Sequence, residues 1–401
     1  MEKERNKKGK YFSFNDFLTT KTEQMAKISP FRAALPDLSD IISFDEFFGS
    51  AKRKFPLYLS DGIYEQNSKE ALYIYRVKRP HRSHTGILAC TNVLDYINGE
   101  IKKHENTLAA KEAKMMRLFE ERQALIKPIL LTYPNVLEID ALINRITTSM
   151  PSSFTITFQD EEHVFWQIEE EVHIKKMVKV FDEHVHESYI CDGHHRAKTS
   201  EVLYRRSLDK DGRNDKNSPV NYMLVAYFPA SEIEIHNYNR IIASLPDMTD
   251  AEFLAKIDKV YTATPIAKGY VPVSQYEMGM YLGKQWYKLT LKNHLMPPAN
   301  TPTSETLDVH ILNQYVLEGI LEIEDVRTEP DIKYVEGPKG AFSLERRVRE
   351  GKARVAFNLY PVALEDLIKI SDEQDTLPPK STWIEPRMRN GFIAHLYKDV
   401  L

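Results

Sequence analysis

Cysteine is nearly absent: Cys90 and Cys191 are the only two in 401 residues. That rules out an all-cysteine zinc site and argues against a disulfide-stapled secreted fold. Glycine is also sparse, at 15 residues, and its spacing matches neither the P-loop nor the dinucleotide-binding fingerprint. No excess of one charge exists, because 54 basic residues stand against 58 acidic ones for a net charge of −4. Without a bulk positive field or a helix-turn-helix signature, nucleic acid and anionic membranes are not expected partners. Long apolar runs are missing too. The longest, such as Met223 to Phe228, fall far short of the roughly 20 apolar residues a spanning helix needs. The charged residues Met1 to Lys10 lead into no apolar stretch of signal-peptide length, so a soluble cytoplasmic protein is expected.

What is present is an ordinary globular composition, 42% hydrophobic, 28% charged and 10% aromatic. Disordered, collagen-like and low-complexity classes are thereby excluded, and the length suits two domains. Residues 1–30 read as a polar leader, partly disordered. Alternating β-formers predict hairpins over Ala71 to Lys78 with Gly86 to Val93, and over Phe154 to Phe158 with His163 to Ile168. Between Glu100 and Lys127 there is neither Gly nor Pro, and Leu108, Met115, Phe119 and Ile126 fall on one helical face. This helix is predicted to start near Asn106 or Thr107. Ile129 to Tyr133 and Val220 to Phe228 read as buried strands, Met177 to Val185 as a short helix, and Asp209 to Pro219 as an exposed loop. A second unit is expected after Asp247, with helices over Leu307 to Leu321, Ser343 to Glu350 and Leu364 to Ile370. Short strands mixed with helices predict an α+β fold.

The chemistry concentrates at Cys191-Asp-Gly-His-His-Arg196-Ala-Lys198. Ser188 to Cys191 predicts a strand, Asp192-Gly193 a turn, and His194 to Leu208 a helix. Gly193 lets the backbone approach a ligand, and the helix start offers free N–H groups. His194, His195, Arg196 and Lys198 add four donors with no acid from Gly193 to Ser200, a pattern suited to one phosphate group. The competing reading is an ordinary helix start with solvated basic residues.

Two further segments are candidates. In Lys103-His104-Glu105-Asn106-Thr107, a carboxylate can act as general base toward a hydroxyl, or Glu105 can be a first-turn acid balancing the helix dipole. Pro378-Pro-Lys380-Ser381-Thr382-Trp383-Ile-Glu385-Pro386-Arg387 is a proline-fixed polar loop that serves either as a substrate-contacting lid or as a Trp plug on the core. Tyr238-Asn239-Arg240 is a weaker candidate of the same kind. No zinc spacing is met by His184 and His186 with His194 and His195, whereas magnesium bridging a phosphate to Asp192 or Glu105 needs only one or two carboxylates. Gly-x-Ser-x-Gly is absent, so no serine hydrolase reading arises.

Tyr189-Ile-Cys-Asp-Gly-His-His-Arg196, Lys103 to Thr107 with Lys111-Glu112, Tyr238-Asn-Arg240, Leu307-Asp-Val309 and Pro378 to Pro386 resemble the ordered motifs of the bacterial DUF 1015 family. That resemblance runs from about Phe31 to the C-terminus. Phe31-Arg-Ala33 and Pro36 fit it, but the family's following Pro-Tyr-Asp-Val stretch is missing. The family in turn is similar to the ParB/sulfiredoxin superfamily, some of whose members are free-serine kinases with the same Asp-Gly-His-His-Arg motif. The resemblance implies a ParB/sulfiredoxin-like mixed α/β core over 31–247 with additional N-terminal strands, and a C-terminal α/β domain over 248–401. It implies a serine kinase or phosphoserine phosphatase type of phosphoryl transfer in serine metabolism, with Mg2+ and ATP or ADP as cofactors and a small phosphometabolite as ligand. Glu105 would be the base, with His104 and Asp192 beside it as catalytic candidates. Gly193, His194, His195, Arg196 and Lys198 would hold phosphate or nucleotide, and Arg240, Lys380, Ser381, Thr382 and Glu385 would contact substrate. A phosphometabolite-binding module without catalysis is the alternative, and a homo-oligomer is compatible with either.

Overall fold

The computed structural model describes residues 27–208, 215–245 and 248–397. It is a mixed α+β fold organised by two sheets. Most of the leader lies outside the described residues, but Ile28 and Ser29 form a short strand, β1, on the first sheet. Helix α1 (Phe44–Ser60) precedes the hairpin of β2 (Leu72–Lys78) and β3 (Ser83–Asn92). Then come α2 (Val93–Asn98), the two-residue β4 (Ile101–Lys102), α3 (Ala109–Arg122), β5 (Ile129–Tyr133) and α4 (Leu137–Ser149). The second hairpin is β6 (Phe154–Phe158) with β7 (Glu161–Ile168), followed by α5 (Glu171–His184), β8 (Ser188–Asp192), α6 (His194–Ser207) and β9 (Tyr222–Pro229).

The first sheet runs in the order β4, β8, β5, β9, β3, β2, β7, β6, with β1 paired to β3. Its centre is β5 and β9, whose apolar side chains are fully covered. Burying each Leu or Ile there contributes about 1.5–3 kcal/mol relative to leaving it in water. Packing is tight enough that a Cβ on Gly86 of β3 would meet the Tyr227 carbonyl oxygen of β9 at 2.3 Å. Only glycine permits that approach.

The second sheet starts at β10 (Glu234–Ile242). It continues with α7 (Asp250–Val260), β11 (Tyr261–Ile266), β12 (Glu277–Leu282) and β13 (Gln285–Leu291). Beyond these lie α8 (Asp308–Leu312), β14 (Ile332–Glu336), α9 (Gly340–Arg349), β15 (Val355–Asn358), α10 (Leu364–Asp372) and β16 (Thr382–Glu385). Strand order is β11, β13, β12, β15, β10, β14, with β16 on β10. The chain after α10 returns to the first unit, where Ile384, Met388, Phe392 and Tyr397 join its core. Among the described residues no helix is long and apolar enough to cross a membrane.

Several local expectations need correction. The helix expected from near Asn106 or Thr107 to Lys127 ends at Arg122, because Gln123 takes a left-handed turn at φ 51° and Ala124 and Leu125 pair with Leu396 and His395. Its cap is Leu108, not Asn106 or Thr107, since the Thr107 hydroxyl donates to Glu112 Oε1 instead. The helix expected from Leu307 is α-helical only through Leu312 and then widens into π-helix over Asn313–Glu318. Helices α4 and α7 carried no sequence expectation. The loop expected from Asp209 lies partly outside the described residues.

Candidate active site

Strand β8, the turn at Gly193 and α6 form the strand, tight turn and helix expected there. Gly193 has φ 115°, a region that disfavours any Cβ, and a Cβ would also lie 2.7 Å from Arg196 Nη2. The turn therefore lets the Arg196 guanidinium fold back over it. The first backbone bonds of α6 run from the Arg196 and Ala197 amides to the Gly193 carbonyl at 2.8 and 3.0 Å. No acid occupies its first turn and no side chain caps it. The positive end of the helix thus opens into a cavity of about 300 Å³.

Four segments distant in sequence wall this cavity: His104, Glu105 and Lys111; Cys191 to Arg196; Tyr238; and Leu377 to Ile384 with Arg387. Glu105 lies in extended chain ahead of α3. It is not a first-turn acid of that helix, so the capping role falls away. Its carboxylate faces the two imidazoles, 3.4 Å from His194 Nδ1 and 4.0 Å from His195 Nε2. Burial raises its pKa, only partly offset by Lys111 and Lys380.

Asp192 has the opposite surroundings. Its Oδ2 is 3.1 Å from both Lys127 Nζ and Arg196 Nη2. Burial alone would raise its pKa, but Arg196, Lys127 and Arg387 outweigh it and hold the carboxyl well below the usual range. Burial and Arg196 in turn bring Lys127 down to about 8.

The histidines are not cations at neutral pH. His104 and His194 stack edge to face with centroids 4.5 Å apart. Burial pushes His104 down to about 4, and burial with His104 pushes His194 well below the usual imidazole range. His195 is also lowered, by burial and by Lys111. Fixed positive charge at the turn therefore resides in Arg196, with Lys127 and Arg387 around it, while the imidazoles present neutral N–H or lone pair. His194 Nε2 and both ring nitrogens of His195 are buried without a hydrogen-bond partner. Such groups cost about 1–3 kcal/mol each unless a ligand or water satisfies them.

The remaining candidates separate. Lys198 turns off the cavity wall and pairs with Glu201 at 2.8 Å. Arg240 is fully buried and donates to the Lys380 and Pro379 carbonyls at 2.9 and 3.1 Å, so it clamps the loop from beneath. Ser381 donates its hydroxyl to the Pro378 carbonyl, while Lys380 and Thr382 line the cavity. Glu385 faces a neighbouring cavity, where Arg79 and His236 pair with it. Trp383 is a wall shared by both cavities, with the Arg387 guanidinium 4.4 Å from its ring. Sequence reasoning missed Lys127, and it named Arg387 and Tyr238 only as members of candidate segments, without a place at the phosphate turn. Only the register of β5 on β8, with Leu130 opposite Asp192, reveals Lys127 as a neighbour.

For a transition metal the set is poor. His184 ends α5 and His186 lies exposed beyond it, so the two do not share a strand face. Among the described residues the one His and carboxylate cluster of metal-binding spacing is Glu234, His236 and Glu385, outside this cavity. Asp192 already carries two cations, whereas among the described residues Glu105 has no Lys or Arg in ion-pair contact. A magnesium ion held chiefly by phosphate oxygens and water fits Glu105 better than Asp192.

This arrangement defines an α+β protein with a cation-walled cavity at a strand-turn-helix junction. The chain belongs to DUF1015, a family described as protein of unknown function, with residues 24–310 matched. No curated protein sequence matches it. Similar solved structures include a free serine kinase in complex with AMP, at TM-score 0.37 and 9% identity over 78% of this chain and 93% of that one. SbnI with C-terminal truncation from Staphylococcus aureus gives TM-score 0.40 and 12% identity over 76% and 85%. A conserved hypothetical protein from Pyrococcus furiosus gives 0.37 and 10% over 78% and 97%. Likeness at this level assigns no residue a role.

Proposed function

We propose that this cavity catalyses phosphoryl transfer to or from the hydroxyl of a small hydroxy amino acid, as a serine kinase or phosphoserine phosphatase would. The observation that carries the reading is the Glu105 carboxylate, free of any helix, facing the open N-terminus of α6 across one small cavity. Phosphate binds at Asp192 to Arg196, where the helix dipole and Arg196 neutralise it, and Asp192 holds Arg196 and Lys127 in place. In the kinase direction the hydroxyl oxygen attacks phosphorus, its proton passes to Glu105, and the bond to the donor's bridging oxygen breaks. In the phosphatase direction Glu105 takes a proton from water as the water oxygen attacks phosphorus, the bond from phosphorus to the serine oxygen breaks, and Glu105 returns the proton to that oxygen. A raised carboxyl pKa suits either task. Bound Mg2+ would supply charge neutralisation on the phosphate oxygens, and Glu105 would hold it through water, so that the carboxylate stays free to take the proton. Positioning and charge do most of the work, as in phosphoryl transfer generally.

The test is incubation of the purified protein with serine or phosphoserine, with and without ATP or ADP and magnesium, followed by phosphorus NMR. Glu105→Gln is expected to lower turnover by about 10²–10⁴-fold while phosphoserine or nucleotide binding persists. Unchanged turnover in that variant overturns the base assignment. A binding module without catalysis is favoured by one observation, the Lys127, Asp192 and Arg196 set, whose two cations against one carboxylate would hold an anion with no reacting group. Tight metabolite binding with no product in any arm selects it.

A further inference from the structure

Trp383 and Arg387 line the first cavity and also a second one of about 840 Å³, which reaches from Arg79 and Glu161 of the first unit to Glu336 and Lys339 of the second. The other cations of this second wall each have a carboxylate. Arg79 and Arg389 both meet Glu161 at 2.5 Å, Lys339 meets Glu336 at 2.6 Å, and Lys127 meets Asp192 at 3.1 Å. Arg387 differs. Among the described residues it forms no ion pair and no hydrogen bond, and Asp192 senses its charge only from beyond ion-pair distance. Its guanidinium lies over the Trp383 ring, a cation–π contact that fixes its place without giving its N–H groups an acceptor oxygen. A held guanidinium with its donors unused, in the wall of a cavity, suits a planar oxyanion bound through two parallel N–H bonds.

The place of Arg387 identifies that oxyanion. No residue from Asp192 to Arg196 lines the second cavity, so Arg387 stands on the side of the first cavity that turns away from the α6 start. At that start the helix dipole and Arg196 already serve the phosphate. Lys111 and Lys380, the other cations of the first cavity without an ion pair among the described residues, act on Glu105. What remains for Arg387 is the end of the substrate away from its phosphate. In a phosphorylated hydroxy amino acid that end carries a carboxylate, whose two coplanar oxygens match the guanidinium fork. We infer that Arg387 binds the substrate carboxylate, so that the cavity selects hydroxy acids over hydroxyamines of the same length. A substrate lacking the carboxylate leaves the guanidinium unpaired. The inference deepens the phosphoryl-transfer reading and rests on it for the place of the phosphate.

The test measures binding of phosphoserine, 3-phosphoglycerate, phosphoethanolamine and inorganic phosphate to the full chain by calorimetry. In the wild type, phosphoserine and 3-phosphoglycerate are expected to bind about tenfold or more tightly than phosphoethanolamine; equal affinity overturns the inference and needs no variant to show it. Arg387→Gln, checked for folding by circular dichroism, is expected to weaken the two carboxylates by about tenfold or more and to leave phosphoethanolamine and phosphate within about twofold. An equal loss of all four ligands puts Arg387 on the phosphate and overturns the inference, as does no loss of any. Ethanolamine phosphorylated as readily as serine overturns it and leaves the transfer reading intact. Discrimination that responds to Arg387→Gln as stated, with no product from any substrate, leaves the carboxylate contact and removes the transfer reading.

Discussion

Asp192 ends β8 in the first unit and Asp308 opens α8 in the second, and both carboxyls are withdrawn from water, yet their pKa values move in opposite directions. Asp192 lies within reach of Arg196, Lys127 and Arg387, which overcome its burial and keep it ionised. Asp308 is pushed by burial up to about 7, although the Tyr276 amide donates to its Oδ1 at 2.8 Å. Burial raises the pKa at both places, so the neighbours decide the outcome. The first unit assembles cations that anchor one acid and leave a helix start open; the second shelters a lone acid that gains a proton instead. The helix starts repeat the contrast. Thr249 and Glu252 close α7 with a capping box, whereas α6 begins without a cap or an acid.

Breaking the cation cluster should have the largest effect. Asp192→Asn leaves Lys127 and Arg196 facing each other, and a loss of about 1–3 kcal/mol in thermal or denaturant unfolding at pH 7 is expected. Because the folded pKa of Asp192 is depressed, its stabilisation is present above the usual carboxylate range and fades as pH falls. The gap between wild type and variant should therefore close on acidification; a gap independent of pH would break the comparison.

Gly193→Ala comes next. The left-handed backbone costs about 1–2 kcal/mol with a Cβ, and the contact with Arg196 displaces the guanidinium from Asp192. Melting temperature and phosphoserine affinity should fall together, and loss of one without the other would separate the turn from the site.

Asp308→Asn sharpens the other side. A carboxyl raised from 3.8 to about 7 on folding contributes stability that is full below pH 4 and is lost as pH rises through about 7. Wild-type stability should decline across that window and the variant should be flatter, read from denaturant midpoints at pH 4, 5.5 and 7.5. The slope is opposite in sign to that of Asp192.

Thr249→Ala should do least, costing about 1 kcal/mol of stability with phosphoserine binding unchanged. A binding change would show that the second unit's helix start is coupled to the cavity.

Legibility differed across the molecule in the same way. The two hairpins of the first sheet and the turn before α6 were readable because alternation, β-branched residues and one glycine act within a few positions. Helix α4 was not, since Leu137 to Ser149 mixes β-branched residues into a helix that core packing of Ile139, Ile143 and Ile146 stabilises. For Glu105, two roles stayed open until the start of α3 at Ala109 removed one. Lys198 and Arg240 read as ligand contacts from composition alone, but an ion pair with Glu201 holds the first elsewhere, and one strand carbonyl with two loop carbonyls holds the second.

By itself the amino-acid order determined a strand, a glycine turn and a helix with a basic, acid-free start, because each of those depends on adjacent residues. Tertiary structure alone decided which charges meet there. Lys127 reaches Asp192 across 65 positions through the register of two strands, and Arg387 reaches the same cavity because the C-terminal segment packs back on the first core. Local propensity extends over a turn or two, whereas the convergence of distant cations on one carboxylate depends on sheet register and core packing, which no short window of sequence encodes.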